Sequence, residues 1–156
     1  MPPSIPRPAG PPGDESESGP RELHWLTKGE VLIADDDPAV RRVLARSFER
    51  FGLTPVLCGD GAEALELVTA EPARFQLVVL DLTMPRLRGD EALIAMRRLR
   101  PDIPALVLSG YLEEEIRERL KDTEKVAMLH KPFTLRDLAD LLWQVAGPTD
   151  TGAAAP

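Results

Sequence analysis

The sequence has little cysteine and no apolar run of membrane-spanning length. Cys58 is the single cysteine among 156 residues, so an internal disulfide is excluded and a reducing compartment fits. No apolar run approaches the length that crosses a membrane, and nothing near Met1 resembles the apolar region of a signal peptide. We therefore expect a cytoplasmic protein with no membrane partner.

The chain also lacks an excess of positive charge. It has 19 lysines and arginines against 26 aspartates and glutamates, which gives a formal net charge of −7. A nucleic-acid-binding surface needs a clustered basic stripe to meet the phosphates. We therefore expect no nucleic-acid partner.

Both ends of the chain have few large apolar side chains. The first twenty residues contain seven prolines, three glycines and three serines, and the chain closes on GPTDTGAAAP. Such segments cannot bury enough surface to offset the entropy of ordering them. We interpret residues 1–28 as a disordered leader or linker, residues 148–156 as a disordered tail, and residues 29–147 as one folded domain.

Between these ends, short apolar runs alternate with segments of helical periodicity. The five runs are VLIA, TPVLC, QLVVLDL, IPALVLS and KVAMLH. Strands that are apolar along their whole length belong to a parallel sheet that is covered by helices on both faces. We therefore predict an α/β fold of the doubly wound, flavodoxin-like (βα)5 class, with a five-stranded parallel sheet in the order 2-1-3-4-5.

The helical segments carry their own boundary signals. Asp60 and Thr134 precede the second and fifth segments, where their side chains can cap the first turn. In the first segment, Arg41, Arg42 and Arg46 fall on the face opposite the apolar positions. We expect these three arginines to be exposed.

Three consecutive carboxylates, Asp35 to Asp37, stand between the first apolar run and Pro38. Like charges this close raise one another's pKa and cost free energy unless positive charge lies among them. Capping of the following helix accounts for one aspartate or two. A divalent cation held by oxygen ligands accounts for the whole cluster. From this segment alone both interpretations stay open.

Reactive side chains follow four of the five predicted strands. Asp35 and Asp36 follow the first, Asp81 the third, Ser109 the fourth and Lys131 the fifth. The carboxyl ends of parallel strands meet at one edge of a sheet, so these side chains should converge. The carboxylates offer the ligands that magnesium prefers. Together the set suits phosphoryl transfer with Asp81 as the carboxylate nucleophile.

The motifs IADDDP, VVLDLTMP, LVLSGY and HKPF, in this order and spacing, resemble the receiver domain of bacterial two-component response regulators, including the C-terminal receivers of hybrid histidine kinases. The resemblance implies that Asp81 accepts a phosphoryl group from the phosphohistidine of a histidine kinase or a histidine phosphotransfer protein. It also implies a magnesium site in which Asp81 takes part. Asp36 would bind the ion directly, Asp35 mainly through water, and Thr83 through its main-chain carbonyl.

The resemblance assigns further roles around this site. Ser109 would bind the phosphoryl group, Lys131 would pair with it, and the Lys131–Pro132 peptide bond would be cis. The signal would reach a protein target through the fourth helix, fifth strand and fifth helix, a face that is also compatible with a homodimer. Met128 stands where receivers place Tyr or Phe, so an aromatic ring cannot provide the usual switch here. Tyr111 is bulky enough to shield the site, which favours slow self-dephosphorylation.

Two other functions compete with this interpretation. A haloacid-dehalogenase-like phosphatase also uses a strand-end aspartate with magnesium, but that family has a second Asp where this chain has Thr83. A pseudo-receiver, which is a binding module that is never phosphorylated, is disfavoured by the complete set Asp36, Asp81, Ser109 and Lys131. We therefore expect a phosphoacceptor receiver that is not an enzyme, beyond catalysing its own phosphorylation and dephosphorylation.

Overall fold

The computed structural model describes residues 29–110, 114–120 and 123–147. In these ranges five strands alternate with five helices: β1 (Glu30–Ala34), α1 (Pro38–Arg50), β2 (Thr54–Cys58), α2 (Gly61–Ala70), β3 (Phe75–Asp81), α3 (Gly89–Leu99), β4 (Ala105–Ser109), α4 (Glu114–Leu120), β5 (Val126–His130) and α5 (Leu135–Ala146). None of these helices has both the length and the apolar character needed to cross a bilayer. The predictions for residues 1–28, residues 148–156 and Tyr111 fall outside the described residues.

The five strands form one parallel sheet in the order β2-β1-β3-β4-β5, which confirms the predicted fold class and strand order. Helices pack on both faces of this sheet. Phe48 of α1 and Leu142 of α5 belong to one buried cluster. Val68 of α2, Met96 of α3 and Leu120 of α4 belong to the other. The central strands are therefore covered on both sides, as continuously apolar runs require.

The start of α1 accounts for one member of the aspartate cluster. Asp37 is the N-cap residue, and its Oδ1 accepts a hydrogen bond from Ala39 N at 2.9 Å. The other end of α1 is followed by Gly52, whose φ of 94° lies in the left-handed region that favours glycine. Capping thus explains Asp37 and leaves Asp35 and Asp36 for another role.

The polar face of α1 differs from the prediction at Arg41. Arg42 and Arg46 are exposed, as expected, but Arg41 is half-buried. Its Nη1 donates a hydrogen bond of 2.6 Å to the main-chain oxygen of Asp35. This arginine reaches the end of β1 because α1 begins only three residues after Asp35, so that Arg41 stands in its first turn.

Both predicted caps form, and the cap of α5 is reciprocal. Asp60 Oδ1 accepts a hydrogen bond from Glu63 N at 2.7 Å. At α5, Thr134 Oγ1 accepts from Asp137 N and Asp137 Oδ2 accepts from Thr134 N, both at 3.0 Å. These contacts occupy main-chain donors that the first turn of a helix leaves without intrahelical partners.

We expect Thr134→Ala to lower the free energy of unfolding by about 1 kcal/mol, because the N–H of Asp137 loses its acceptor. Urea denaturation measures the change. Thr134→Ser keeps the hydroxyl and should unfold close to the wild type. An alanine variant as stable as the serine variant would show that this cap contributes nothing.

Candidate active site

Three carboxylates meet at the carboxyl edge of the sheet. Asp35 and Asp36 follow β1, Asp81 ends β3, and these two strands are neighbours. One carboxylate oxygen from each residue lies within 4.8 Å of the others. Asp35 is 0 % exposed and Asp81 is 3 % exposed, while Asp36 faces solvent. The structure thus brings together three predicted metal ligands, of which two are buried and one is exposed.

Lys131 places a positive charge against two of these carboxylates. Its Nζ lies 3.1 Å from Asp35 Oδ2 and 3.3 Å from Asp81 Oδ1. Its main-chain N–H donates to Ser109 O at 2.8 Å, and the Lys131–Pro132 bond is cis. Burial lowers the pKa of Lys131, but the hydrogen bond to Asp35 and the charges of Asp81 and Asp35 outweigh burial and raise that pKa overall. The ammonium is therefore charged at neutral pH.

The raised pKa of Asp81 shows that the positive charge of Lys131 does not neutralise the carboxylates of the site. Burial and the neighbouring charge of Asp35 raise the pKa of Asp81 to about 6, and Lys131 lowers it only in part. Two buried carboxylates, an exposed one and a single ammonium leave an excess of negative charge. A hard divalent cation would offset this excess with the oxygen ligands that it prefers. The residues present fit a magnesium ion.

The remaining predicted residues lie around the same edge. Ser109 ends β4, is 2 % exposed, and follows Leu108, which pairs with Asp81 in the sheet. Thr83 is exposed two residues beyond Asp81. Met128 is half-buried on β5 and pairs with Val107. The topology therefore gathers Asp81, Ser109 and Lys131 from three adjacent strands.

One contact of the site was not predicted. Arg41 was expected to be exposed on α1, yet it binds the main-chain oxygen of Asp35. The available signal was the helix start: a helix that begins at Pro38, directly after the cap residue Asp37, places its first turn close to the end of β1. Helical periodicity alone separates apolar from polar faces and does not reveal this contact.

The sequence model of the response regulator receiver domain matches residues 31–142. The chain belongs to this family. The predicted resemblance is confirmed, and the receiver match extends over all five strands except the first residue of β1. Receiver domains accept phosphoryl groups from histidine kinases, bind Mg²⁺ through an acidic pocket and act on downstream targets.

In two similar proteins the matching segment is part of a longer chain. The receiver is 40% identical over 110 residues to the response regulator MprA of Mycobacterium ulcerans. The matched segment covers 69% of this chain and 46% of MprA. It is 35% identical over 109 residues to the sensor kinase CckA of Brucella abortus. Here the matched segment covers 70% of this chain and 12% of CckA. The chain thus spans about half the length of MprA and a small part of the kinase.

Solved structures show the same fold. The receiver resembles the Vibrio cholerae chemotaxis protein CheY4 with a TM-score of 0.67 and 28% identity, over 75% of this chain and 98% of CheY4. It also resembles the receiver domain of the sensor histidine kinase PA1611 from Pseudomonas aeruginosa, with a TM-score of 0.66 and 24% identity, over 77% of this chain and 98% of that one. The PA1611 domain has a magnesium ion coordinated in its active site cleft.

Proposed function

We propose that this receiver takes a phosphoryl group from a partner phosphohistidine onto Asp81, with Mg²⁺, and signals through protein contacts. The observation that supports this most strongly is the meeting of Asp35, Asp36 and Asp81 within 4.8 Å, with Lys131 bound to two of them. The phosphodonor would be a histidine kinase or a histidine phosphotransfer protein, and the domain would act in the cytoplasm.

Asp36 and Asp81 would bind the magnesium ion directly, with Asp35 acting mainly through water and Thr83 through its main-chain carbonyl. Bound Mg²⁺ supplies positive charge to the phosphoryl oxygens, and it takes few carboxylates because it retains several waters. The exposed side of Asp36 leaves this position open to an incoming phosphodonor. The burial of Asp35 and Asp81 keeps their carboxylates fixed against the sheet.

The transfer itself requires positioning more than acid or base chemistry. A carboxylate oxygen of Asp81 forms a bond to phosphorus while the bond from phosphorus to the imidazole nitrogen breaks, and its electron pair stays on that nitrogen. Lys131 is within reach of the Asp81 carboxylate and would pair with the product phosphoryl group. Ser109, at the end of the next strand, would donate a hydrogen bond to a phosphoryl oxygen.

The rest of the proposal concerns the whole chain and its output. Residues 29–147 would form the receiver, with residues 1–28 as a disordered leader and residues 148–156 as a disordered tail. Output to a protein target, and a homodimer if one forms, would use α4, β5 and α5. Met128 lies on this face and is apolar and flexible, so the proposed signal does not use a rotating aromatic ring at this position.

Incubation with acetyl phosphate and Mg²⁺, followed by intact-mass measurement, tests the proposal. We expect the wild type to gain one phosphoryl group, and we expect no gain in Asp81→Asn or in wild type with a chelator. Asp102→Asn is the matched control, because the side chain of Asp102 is 71% exposed and should leave phosphorylation unchanged.

Three other outcomes would contradict the proposal. A phosphoryl gain in Asp81→Asn equal to that of the wild type would show that another residue is the acceptor. No modification of the wild type under any condition would favour a pseudo-receiver. Sustained turnover of many phosphoesters would favour a phosphatase.

A further inference from the structure

Four neighbours hold the polar groups of Asp35. Its main-chain N–H donates to Cys58 O at 3.2 Å. Its carboxylate accepts from Asp37 N at 2.8 Å and from Lys131 Nζ at 3.1 Å. Its main-chain oxygen accepts from Arg41 Nη1 at 2.6 Å. Arg41 is thus the partner that fixes the carbonyl of Asp35, and with it the peptide that leads into Asp36.

The side chain of Arg41 is confined between α1 and the turn after β2. It is half-buried, although most arginines extend into solvent. A Cβ atom built on Gly59 would lie 3.3 Å from Arg41 Nη1, so the turn borders the guanidinium closely. The missing side chain at Gly59 leaves room for the guanidinium to reach the end of β1.

Asp36 depends on its flanking peptides for its direction. Unlike Asp35 and Asp81 it is exposed, so packing does not hold its carboxylate. The peptide before it is held through Asp35 O by Arg41, and the peptide after it is held through Asp37 N by the Asp35 carboxylate. Loss of the first contact would free the main chain on the N-terminal side of Asp36.

We propose that Arg41 is a positioning residue of the magnesium site: its hydrogen bond to Asp35 O holds the Asp36 carboxylate toward Asp81. This inference rests on the proposed function, because it concerns the same ion. It gives Arg41 a role inside the site rather than on the exposed face of α1.

Charge and positioning predict opposite effects when Arg41 is removed. Arg41 is a cation that contacts the main-chain oxygen of Asp35, so charge alone would make its loss favour a second cation and tighten Mg²⁺ binding. Positioning predicts weaker binding, because residues that orient metal ligands typically contribute about 10-fold or more to metal affinity. The sign of the change therefore separates the two effects.

The experiment measures how much Mg²⁺ raises the melting temperature of the full chain over a range of Mg²⁺ concentrations. Each variant is compared with itself without Mg²⁺, so a general loss of stability does not alter the fitted Kd. We expect Arg41→Met to bind Mg²⁺ about 10-fold more weakly than the wild type. Arg42→Met is the matched control, because it removes the same charge from the next, exposed position and should bind as the wild type does or slightly more tightly.

The other outcomes are distinct. If Arg41→Met binds Mg²⁺ as tightly as Arg42→Met, or more tightly, Arg41 acts through charge and the positioning role is wrong. If the wild type shows no stabilisation by Mg²⁺, the proposed magnesium site itself fails, and this inference fails with it. Arg41→Gln is also uncharged and too short to make the contact, and it provides the same test where Arg41→Met does not fold.

Discussion

Asp81→Asn should make the metal-free protein more stable than the wild type at neutral pH. Burial and the charge of Asp35 raise the pKa of Asp81 from 3.8 to about 6. The ionised carboxylate is therefore less favourable in the folded chain than in the unfolded one. Because one pKa unit corresponds to about 1.4 kcal/mol, the penalty at neutral pH is about 2 to 3 kcal/mol, and an uncharged amide of the same shape removes it.

The raised pKa of Asp81 also determines how the stability of the wild type changes with pH. Below pH 3.8, the ordinary value, Asp81 is protonated in both states and costs nothing. As the pH rises toward about 6, the unfolded chain releases this proton first, so the wild type loses stability across that interval. Above about pH 6 the loss of stability is complete and no longer changes with pH. Urea denaturation at several pH values should show the gap between Asp81→Asn and wild type opening between these limits.

Magnesium and a surface variant provide the controls. Mg²⁺ bound to the folded state alone should stabilise the wild type more than Asp81→Asn, so the gap should narrow as Mg²⁺ is added. Asp102→Asn makes the same chemical change at an exposed side chain and should alter stability by less than about 1 kcal/mol. If Asp81→Asn were less stable than the wild type without metal, the contact with Lys131 would outweigh the burial of charge.

The fold follows from the sequence because its signals agree at every level. Each apolar run is short and continuous, each helical segment has one apolar face, and the caps Asp60 and Thr134 stand where helices begin. Parallel strands that are buried on both faces permit few topologies once crossovers are right-handed. The predicted order β2-β1-β3-β4-β5 is one of these few, and it is the order that the sheet has.

The site was predictable for a different reason. Asp35, Asp81 and Lys131 are far apart in the chain, and each alone has an ordinary surface explanation. The strand order makes their convergence necessary, since β1 and β3 are neighbours and the sheet continues to β5. The distances of 3.1 and 3.3 Å between Lys131 and the two carboxylates agree with that argument.

Two contacts that arginines make outside the predicted strand-end set could not be read from the sequence. Arg41 reaches the carbonyl of Asp35, a group that every residue carries and no motif marks. Asp90 lies in an ordinary helical pattern, yet it is 1% exposed and pairs with Arg88 and with Arg119 of α4, both at 3.1 Å. Periodicity assigns a face to each helix but does not specify which charged residues meet across two helices.

Gly89→Ala should both destabilise the protein and displace the main chain of Asp81. Gly89 begins α3 against the end of β3, and its N–H donates to Leu82 O at 3.3 Å. A Cβ atom at Gly89 would lie 2.3 Å from the main-chain oxygen of Asp81 and 2.8 Å from its carbonyl carbon. Because these are main-chain atoms of a buried strand, either α3 or the end of β3 must move. We expect a loss of about 3 kcal/mol, despite the intrinsic helix preference for alanine of about 1 kcal/mol.

Urea denaturation measures this loss of stability. The rate of acetyl phosphate labelling shows whether the disturbance reaches Asp81. We expect that rate to fall, because the main chain of Asp81 shifts. Gly110→Ala is the matched stability control. In the part of the chain that the structure describes, and leaving out its two chain neighbours, no atom lies within 4 Å of the position that its Cβ would take, and its φ is outside the left-handed region. It should change stability by less than about 0.5 kcal/mol. Equal stabilities of the two alanine variants would mean that α3 can withdraw from β3 at no cost, and the close packing behind Asp81 would then not constrain the acceptor.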